Sequence, residues 1–326
     1  MTRVTGIGLL TGWGAGAAAL PDDAHAAAAG RRVIPLSTPA YDGERFRRAT
    51  RECLLGVAAV DAMLADAGLG REAMRGSDTA LLYATAAAYG ASNRSFIVGA
   101  GDASSARTAG GLTQVGSGSV GAGDASSART AGGLAQVRSG SVGAGDASPA
   151  RSAGGLAQVR SGSVYFPYTA PSAVPAEVAI EYGLRGGYVI LVGGATAGVE
   201  ALWQAATLLG SGRCRRAVVL AVETFAECET LWARGRWTVQ APLVEAAACA
   251  LLEGDGEVSY ALAAVPAPLE TLARRRAGAT LACEPLIALA LAREAGDAQP
   301  RVTGQWRGQR MGVTLELATA AARTEA

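Results

Sequence analysis

The chain has 326 residues, of which 50% are hydrophobic and 17% are charged, and its formal net charge is +1. This length and composition predict a soluble α/β protein with one large or two modest domains and ample burial. A nearly neutral chain argues against a nucleic-acid partner, which would require a clustered excess of basic residues, and no apolar run approaches the length of a membrane span.

The five cysteines are odd in number and far apart: Cys53, Cys214, Cys228, Cys249 and Cys283. Their spacing matches neither a disulfide framework nor a CxxC metal site. We therefore expect the cysteines to be small core residues of a protein in the reducing cytoplasm. We expect neither a metal nor a cofactor. The single histidine, His25, lies in an alanine-rich segment and is interpreted as a solvated loop side chain.

The first part of the chain predicts a strand, a long helix and a second strand. Residues 4–11 read as a strand that turns at a glycine, and residues 79–85 read as a strand with residues 81–83 buried. Residues 44–67 predict a helix that ends at Gly68. The predicted apolar face of this helix consists of Leu54, Val57, Ala58 and Leu64.

Residues 99–164 contain three consecutive, nearly identical copies of a 22-residue unit. A solenoid would need an apolar face in each unit, but the first copy has only Leu112, Val115 and Val120. A Gly-Asp pair in each copy is a weak calcium signal, because each unit holds one carboxylate. The favoured interpretation is a flexible Gly/Ala/Ser insertion that buries too little apolar area to offset its ordering entropy.

The central part of the chain predicts a βαβ unit. Residues 188–192 read as a buried strand, residues 193–198 as a turn of small residues, and the segment from Val199 to Gly210 as a helix. Residues 217–222 read as the next strand. Such a unit requires a parallel sheet and directs the amides of the helix N-terminus at the turn, where a nucleophile would lie.

A shorter helix is predicted just before this unit, with Pro175 in its first turn and Gly183 at its end. Its core-facing residues are predicted to be Val174, Val178 and Tyr182.

The last part of the chain predicts mainly strands. Residues 247–253 form a strand, followed by a hairpin turn at residues 254–256 and a strand over residues 258–265. A helix is predicted over residues 284–294, with Pro285 in its first turn. A final hairpin is predicted from strands at residues 302–306 and 311–317, joined by a turn at residues 307–309.

The βαβ turn resembles the nucleophile elbow of the β-ketoacyl synthases, because residues 199–202, Val-Glu-Ala-Leu, match the family's Leu/Val-x-Ala-Leu helix start. In this resemblance Ala195 occupies the position of the catalytic cysteine. The triplet Gly278-Ala279-Thr280 resembles the family's Gly-His-Thr, with Ala279 at the histidine. The similarity implies a thiolase-like αβαβα fold: an N-terminal half in residues 1–98 and 165–235, a repeat insertion at 99–164, and a shortened C-terminal half in 236–326.

The resemblance also implies a function without chemistry, since condensation needs an acyl-accepting thiolate and polar groups that support the enolate. We expect a chain-length-factor-like subunit that forms a heterodimer with an active ketosynthase, with an acyl carrier protein docking nearby. The pathway would make a polyketide, an aryl polyene or a specialised fatty acid. The strand before the elbow, at residues 164–168 or 188–192, is expected to lie against the partner. Acidic carrier protein could meet Arg213, Arg215 and Arg216, or Arg274, Arg275 and Arg276.

Other interpretations remain open. Thr196 could act as the nucleophile of an acyltransferase of the 3-oxoacyl-ACP synthase class or of a hydrolase, but a threonine needs a base, and Glu200 and Glu223 read as a helix-surface and a strand-end residue. A displaced cysteine such as Cys228 is a further option, as is a decayed ketosynthase with no partner. A nucleotide site at residues 193–198 is disfavoured, because the G-x-G-x-x-G spacing and a following Lys-Ser/Thr are absent.

Overall fold

The computed structural model describes residues 2–41, 44–46, 49–88, 169–225, 241–254 and 258–318. The strands are β1 (Arg3–Thr11), β2 (Gly14–Ala15), β3 (Val33–Ile34), β4 (Thr79–Thr85), β5 (Tyr188–Val192), β6 (Arg216–Glu223), β7 (Leu243–Val244), β8 (Ala246–Glu253), β9 (Ser259–Leu262), β10 (Arg301–Trp306), β11 (Gln309–Thr314) and β12 (Glu316–Leu317). The helices are α1 (Ala24–Ala28), α2 (Arg51–Ala67), α3 (Ala173–Tyr182), α4 (Ala195–Gly210), α5 (Pro268–Ala277) and α6 (Glu284–Glu294).

A large mixed sheet forms the centre of the described fold, in the order β12-β1-β8-β6-β4-β5, with β2 paired to β1. Strand β4 is parallel to both β5 and β6, while β8 is antiparallel to β1 and β6. Strands β4, β6 and β8 are buried along almost their whole length, as expected for a sheet covered on both faces. The two predicted halves share this sheet, because β8 lies between β1 and β6.

Alternate residues of the central strands face two different cores. Leu81 on β4 and Leu220 on β6 pack with α2 and α3, whereas Leu82 and Val219 pack with α4 and α6. A second sheet, in the order β10-β11-β9, packs against α4 through residues such as Val302. Helices, large sheet, helices and small sheet therefore follow one another as layers, in the order of the predicted thiolase-like fold.

Several predicted elements are confirmed. Strands β4 and β5 and helix α6 have the predicted bounds, β1 and β8 each begin one residue earlier than predicted, and β6 is one residue longer at each end. Gly68 and Gly183 adopt left-handed conformations at φ 68° and 64°, so each ends its helix as expected. Val174, Val178 and Tyr182 of α3 are buried.

The predicted helix over residues 44–67 is wrong in two respects. A 3₁₀ turn at Glu44–Phe46 is separate from α2, which begins only at Arg51. The buried face also differs, because Leu54 and Ala58 are only partly buried, whereas Leu55 and Met63 are fully buried. The reason is tertiary: α2 packs on β1, β6 and β8 and also on α3, so its buried stripe is broader than one predicted face.

The predicted hairpin at residues 254–256 is also wrong, because its flanking strands belong to different sheets. Strand β8 pairs with β1 and β6, while β9 pairs with β11. Both edges of β8 are already occupied, so β9 has no edge of β8 to join. Strand β9 is also shorter than the predicted residues 258–265.

The final hairpin is confirmed, with Arg307 and Gly308 forming a two-residue turn at φ 48° and 83°, as a type I′ turn requires. Its second strand ends early: Glu316–Leu317 leaves the hairpin and pairs in parallel with β1. Helix α5 was not predicted. The repeats at residues 99–164, the alternative partner-facing strand at residues 164–168 and Cys228 lie outside the described residues, and the predictions for them stay predictions.

Candidate functional site

The predicted elbow follows β5 directly. Gly193 donates its N–H to the carbonyl oxygen of Thr85 at 2.9 Å, which ties the turn to the end of β4. Helix α4 begins at Ala195, four residues before the predicted start at Val199, and its N-cap Gly194 has no side chain to cap it. The turn is shorter than predicted because consecutive small residues allow the helix to begin directly behind the strand.

Ala195, at the predicted nucleophile position, is buried, with 1% of its surface exposed. Its backbone and methyl group lie against Gly304 of β10, where an added β-carbon would come 2.6 Å from the Ala195 carbonyl oxygen and 2.9 Å from its Cβ. The position therefore lacks a nucleophilic atom and is also covered by the second sheet.

Thr196 is partly exposed, and no described acid or base hydrogen-bonds to its hydroxyl. Glu200 lies one turn further along α4, where its Oε1 accepts from Nε2 of Gln204 at 2.9 Å. Glu223 is fully buried and engaged by backbone amides. The two acids are therefore a helix-surface and a strand-end residue, as predicted, and neither is placed as a base for Thr196.

Glu223 connects three segments around the elbow. Its Oε1 accepts from the N–H groups of Ala86 at 2.7 Å and Ala282 at 3.2 Å, and its Oε2 accepts from that of Ala87 at 2.8 Å. Burial raises the pKa of this carboxyl to about 8, and the three amide hydrogen bonds oppose the increase. The sequence identified Glu223 as an acid at the end of a strand but did not predict that it accepts from three backbone amides. The available signal was a single carboxylate at the end of an otherwise apolar strand.

Ala279, at the predicted histidine position, is held by backbone pairing with the segment of β7. Its N–H donates to the Pro242 carbonyl at 2.9 Å, and its carbonyl accepts from Val244 at 3.0 Å. Its methyl group belongs to a small apolar cluster with Phe225 and Leu243. The next turn, Leu281–Cys283, packs against α4 so closely that a β-carbon at Gly198 would lie 2.5 Å from the Ala282 carbonyl oxygen.

The structure therefore brings the predicted cysteine and histidine segments to the same end of the sheet, but both positions carry methyl groups. Two threonines next to these segments are also buried. Thr224 directly follows β6, and Thr280 directly precedes the turn at residues 281–283. Within the described part of the chain their hydroxyls have no hydrogen-bond partner.

The histidine and the described cysteines supply no nucleophile or base to this site. His25 is exposed on α1, a short helix where a loop was expected. Cys53, Cys214, Cys249 and Cys283 are free and buried, and burial raises the thiol pKa of Cys53 to about 11. The described residues contain no group of three or more His, Cys, Asp or Glu side chains that could hold a metal ion. No helix among them is long and apolar enough to cross a membrane.

The two predicted arginine clusters differ in their availability. Arg274 pairs with Glu270 and Glu284, and Arg276 pairs with Glu294, so these side chains hold the fold together. Arg213 and Arg215 are exposed on the turn before β6, and among the described residues their one side-chain ion pair is a 3.9 Å contact between Arg215 and Asp78. The third member of that cluster, Arg216, pairs with Glu253 at 2.8 Å.

Strand β5, which leads into the elbow, is the last strand of the described sheet. No described strand pairs with its outer edge. Tyr188 and Val192 at its two ends are 66% and 59% exposed, and Ile180 on the preceding helix is 66% exposed. The expected apolar flank before the elbow is therefore present. The prediction that residues 188–192 form a buried strand is wrong, because β5 is the outermost described strand and no residue of it is fully buried.

No protein-family model and no curated protein matches the chain. Solved structures do match over nearly its full length. The AntDE:AntF complex of a type II polyketide synthase acyl-carrier protein with its ketosynthase is 11% identical, with a TM-score of 0.62 over 97% of this chain and 99% of that chain. The ishigamide ketosynthase/chain length factor is 15% identical, with a TM-score of 0.58 over 98% and 99%.

A third match is the ketosynthase ApeO in complex with its chain length factor ApeC from Xenorhabdus doucetiae, at 11% identity and a TM-score of 0.53 over 97% of this chain and 99% of that chain. The chain has the thiolase-like fold of the ketosynthases. At these identities the likeness concerns the fold, so the elbow of this ketosynthase-like chain has to be interpreted from its own residues.

Proposed function

We propose that this ketosynthase-like chain is a non-catalytic subunit of the chain-length-factor type. The observation that carries the proposal is Ala195, which lies at the start of the elbow helix with 1% of its surface exposed. Decarboxylative condensation needs a thiolate that accepts the acyl group and polar groups that support the enolate. Ala195 and Ala279 supply neither, and Thr196 has no described base, so no observation favours the acyltransferase or hydrolase alternative.

The proposed partner is an active ketosynthase that pairs along β5. An unpaired, apolar sheet edge is a site where another strand adds readily, and exposed apolar patches commonly mark protein interfaces. No described strand pairs with the outer edge of β5, and Tyr188, Val192 and Ile180 supply the exposed apolar flank. Two of the similar structures are described as pairing or joining a ketosynthase and a chain length factor, which supports this choice of partner.

An acyl carrier protein is the second proposed partner, in the synthesis of a polyketide, an aryl polyene or a specialised fatty acid. Arg213 and Arg215 are its proposed contact, because they are exposed and, among the described residues, form only the long 3.9 Å ion pair between Arg215 and Asp78. Surface charges of this kind mainly increase the rate of association with an oppositely charged partner. In the second predicted cluster Arg275 is exposed, but Arg274 and Arg276 pair with acids of the chain, so this cluster is not proposed as the contact.

The test is co-expression with a ketosynthase that is encoded nearby and retains its cysteine and histidines. We expect the two chains to co-elute, and Tyr188→Asp with Val192→Asp to abolish co-elution by placing charges on the shared edge. Val265→Asp is the matched control, because Val265 is 70% exposed but lies after β9. If the native chains never co-elute and deleting this gene leaves product length unchanged, the decayed-ketosynthase interpretation replaces the proposal.

A further inference from the structure

The indole of Trp306, the last residue of β10, lies directly on the elbow. A β-carbon added at Gly194 would be 2.5 Å from Cδ2 and 2.8 Å from Cζ3 of this ring, with Cε3 nearer still. A β-carbon at Gly193 would be 3.9 Å from its Cδ1 and Nε1. The ring therefore spans both glycines of the turn, and any larger residue at position 194 would have to displace it.

Strand β10, which carries the ring, also packs closely against the elbow at Gly304, two residues before Trp306. Gly304 contacts the backbone and methyl group of Ala195, so a side chain at position 304 would meet the start of α4. In an antiparallel strand, residues 304 and 306 share one face. One face of β10 therefore covers the elbow continuously from Ala195 to Gly193.

The hairpin of β10 and β11 is anchored by a buried acid, so the ring is held in place. Glu270 of α5 is fully buried and accepts from the Thr303 hydroxyl and from Nε of Arg310, the latter at 3.1 Å. Arg310 also donates to Oε1 of Gln305, next to Trp306, at 2.8 Å. The Arg307 guanidinium lies 5.9 Å from the centre of the Trp306 ring, within the range of a cation–π contact.

We infer that Trp306 is a specificity-determining residue that closes the elbow of this chain against an acyl chain or any other extended apolar ligand. Replacing Ala195 by a nucleophile would then be insufficient, because the space above the turn is filled. The inference goes beyond the proposed function, since it concerns the isolated chain and holds whether or not a ketosynthase pairs with it. In a complex, the acyl chain would lie outside this elbow.

The test uses a thiol introduced at the elbow as a probe of access. Ala195→Cys is made alone and together with Trp306→Ala, and alkylation by iodoacetamide is followed at that position by peptide mass spectrometry, separately from the native cysteines. We expect little labelling of the single variant and at least about tenfold faster labelling of the double variant, because the folded state no longer has to open locally. The matched control combines Ala195→Cys with Trp203→Ala, which removes the indole stacked 4.5 Å from Tyr260.

Equal labelling of the single and double variants would overturn the inference, and so would equal acceleration by Trp203→Ala, which would indicate general loosening. If the variant with Trp306→Ala does not fold, Trp306→Phe replaces it in combination with Ala195→Cys. The smaller ring should give a labelling rate between those of the single and double variants, and a rate equal to that of the single variant would contradict the inference.

A second measurement uses a fluorescent fatty acid and the variant Trp306→Ala of the otherwise native chain. Binding of the fatty acid should appear in Trp306→Ala and be absent from Trp203→Ala. If Trp306→Ala does not bind the fatty acid, closure of the elbow by the ring is also contradicted. Neither readout depends on a partner.

Discussion

Single side chains decide how the end of the sheet around the elbow is closed. Glu223 is the main example, because one buried carboxylate satisfies amides of the segment after β4 and of the turn before α6. Buried backbone donors without a partner are costly, so this acid removes several such costs with one side chain. Its role is to fix the surroundings of the elbow.

Glu223→Gln should destabilise the chain. The new amide group must direct N–H donors at one of the oxygen positions that now accept from Ala86, Ala87 and Ala282. We expect a loss of about 1–3 kcal/mol in the free energy of unfolding, measured by urea denaturation. Glu200→Gln is the matched control, since Glu200 accepts a hydrogen bond from Gln204 on its own helix and engages no backbone amide in the described part of the chain. Equal losses in both variants would contradict the role assigned to Glu223.

Burial of acids also predicts the direction of the pH dependence. Burial raises the pKa of Glu223 to about 8 and that of Glu284 to about 7. Between the ordinary glutamate pKa of about 4.3 and these values the folded chain holds more protons than the unfolded chain, so stability should fall as pH rises. The urea midpoint should be lower at about pH 8.5 than at about pH 5.5, and Glu223→Gln should reduce the difference. A midpoint that rises over this interval would contradict the prediction.

Whole elements are positioned by close backbone approaches. Helix α2 lies so near β1 that a β-carbon at Gly8 would come 2.6 Å from the backbone nitrogen of Met63 and closer still to the carbonyl oxygen of Ala59. Only glycine allows this distance. The helix can therefore bury its broad stripe against the sheet and α3 at the same time.

Gly8→Ala should force α2 away from β1 and lower the free energy of unfolding by about 1–3 kcal/mol, as overpacking of a core does. Gly70→Ala is the control: Gly70 has a φ of −82° and open space around its Cα, so its replacement should change stability by no more than about 0.5 kcal/mol. Thermal and urea unfolding of both variants measure the difference. A stable Gly8→Ala protein would mean that the two elements can separate at little cost.

Over the whole molecule, two sheets enclose α4, and the repeat region is inserted between the described segments that end at residue 88 and begin at residue 169. The shared sheet places β8 between strands of the N-terminal half, so the two halves are expected to unfold together. The three copies at residues 99–164 are predicted to add chain length without adding to either core.

Removing two copies, residues 121–164, should leave stability nearly unchanged, because loop-closure entropy varies only logarithmically with length. The melting temperature of the shortened chain, compared with that of the full chain, measures this. A decrease of more than about 5 °C would show that the repeats are packed against the rest of the protein.

The sequence by itself determined the elements whose signals are local. Strands β4 and β5 and helix α6 follow from short apolar patterns and from Pro285, and Gly68 and Gly183 end helices because their own backbone adopts the left-handed conformation. The resemblance also assigned Ala195 and Ala279 to the cysteine and histidine positions, because a short motif can be recognised without knowledge of its contacts, and this assignment stays a prediction. These features depend on neighbours along the chain.

Only the tertiary structure decided the features that depend on residues far apart in the chain. It placed β8 and β9 in different sheets, because both edges of β8 are occupied by β1 and β6. It made Glu223 an acceptor for three amides and laid Trp306 on Gly194. No local pattern encodes these contacts, since each arises when separate elements pack into one core and fill the remaining space.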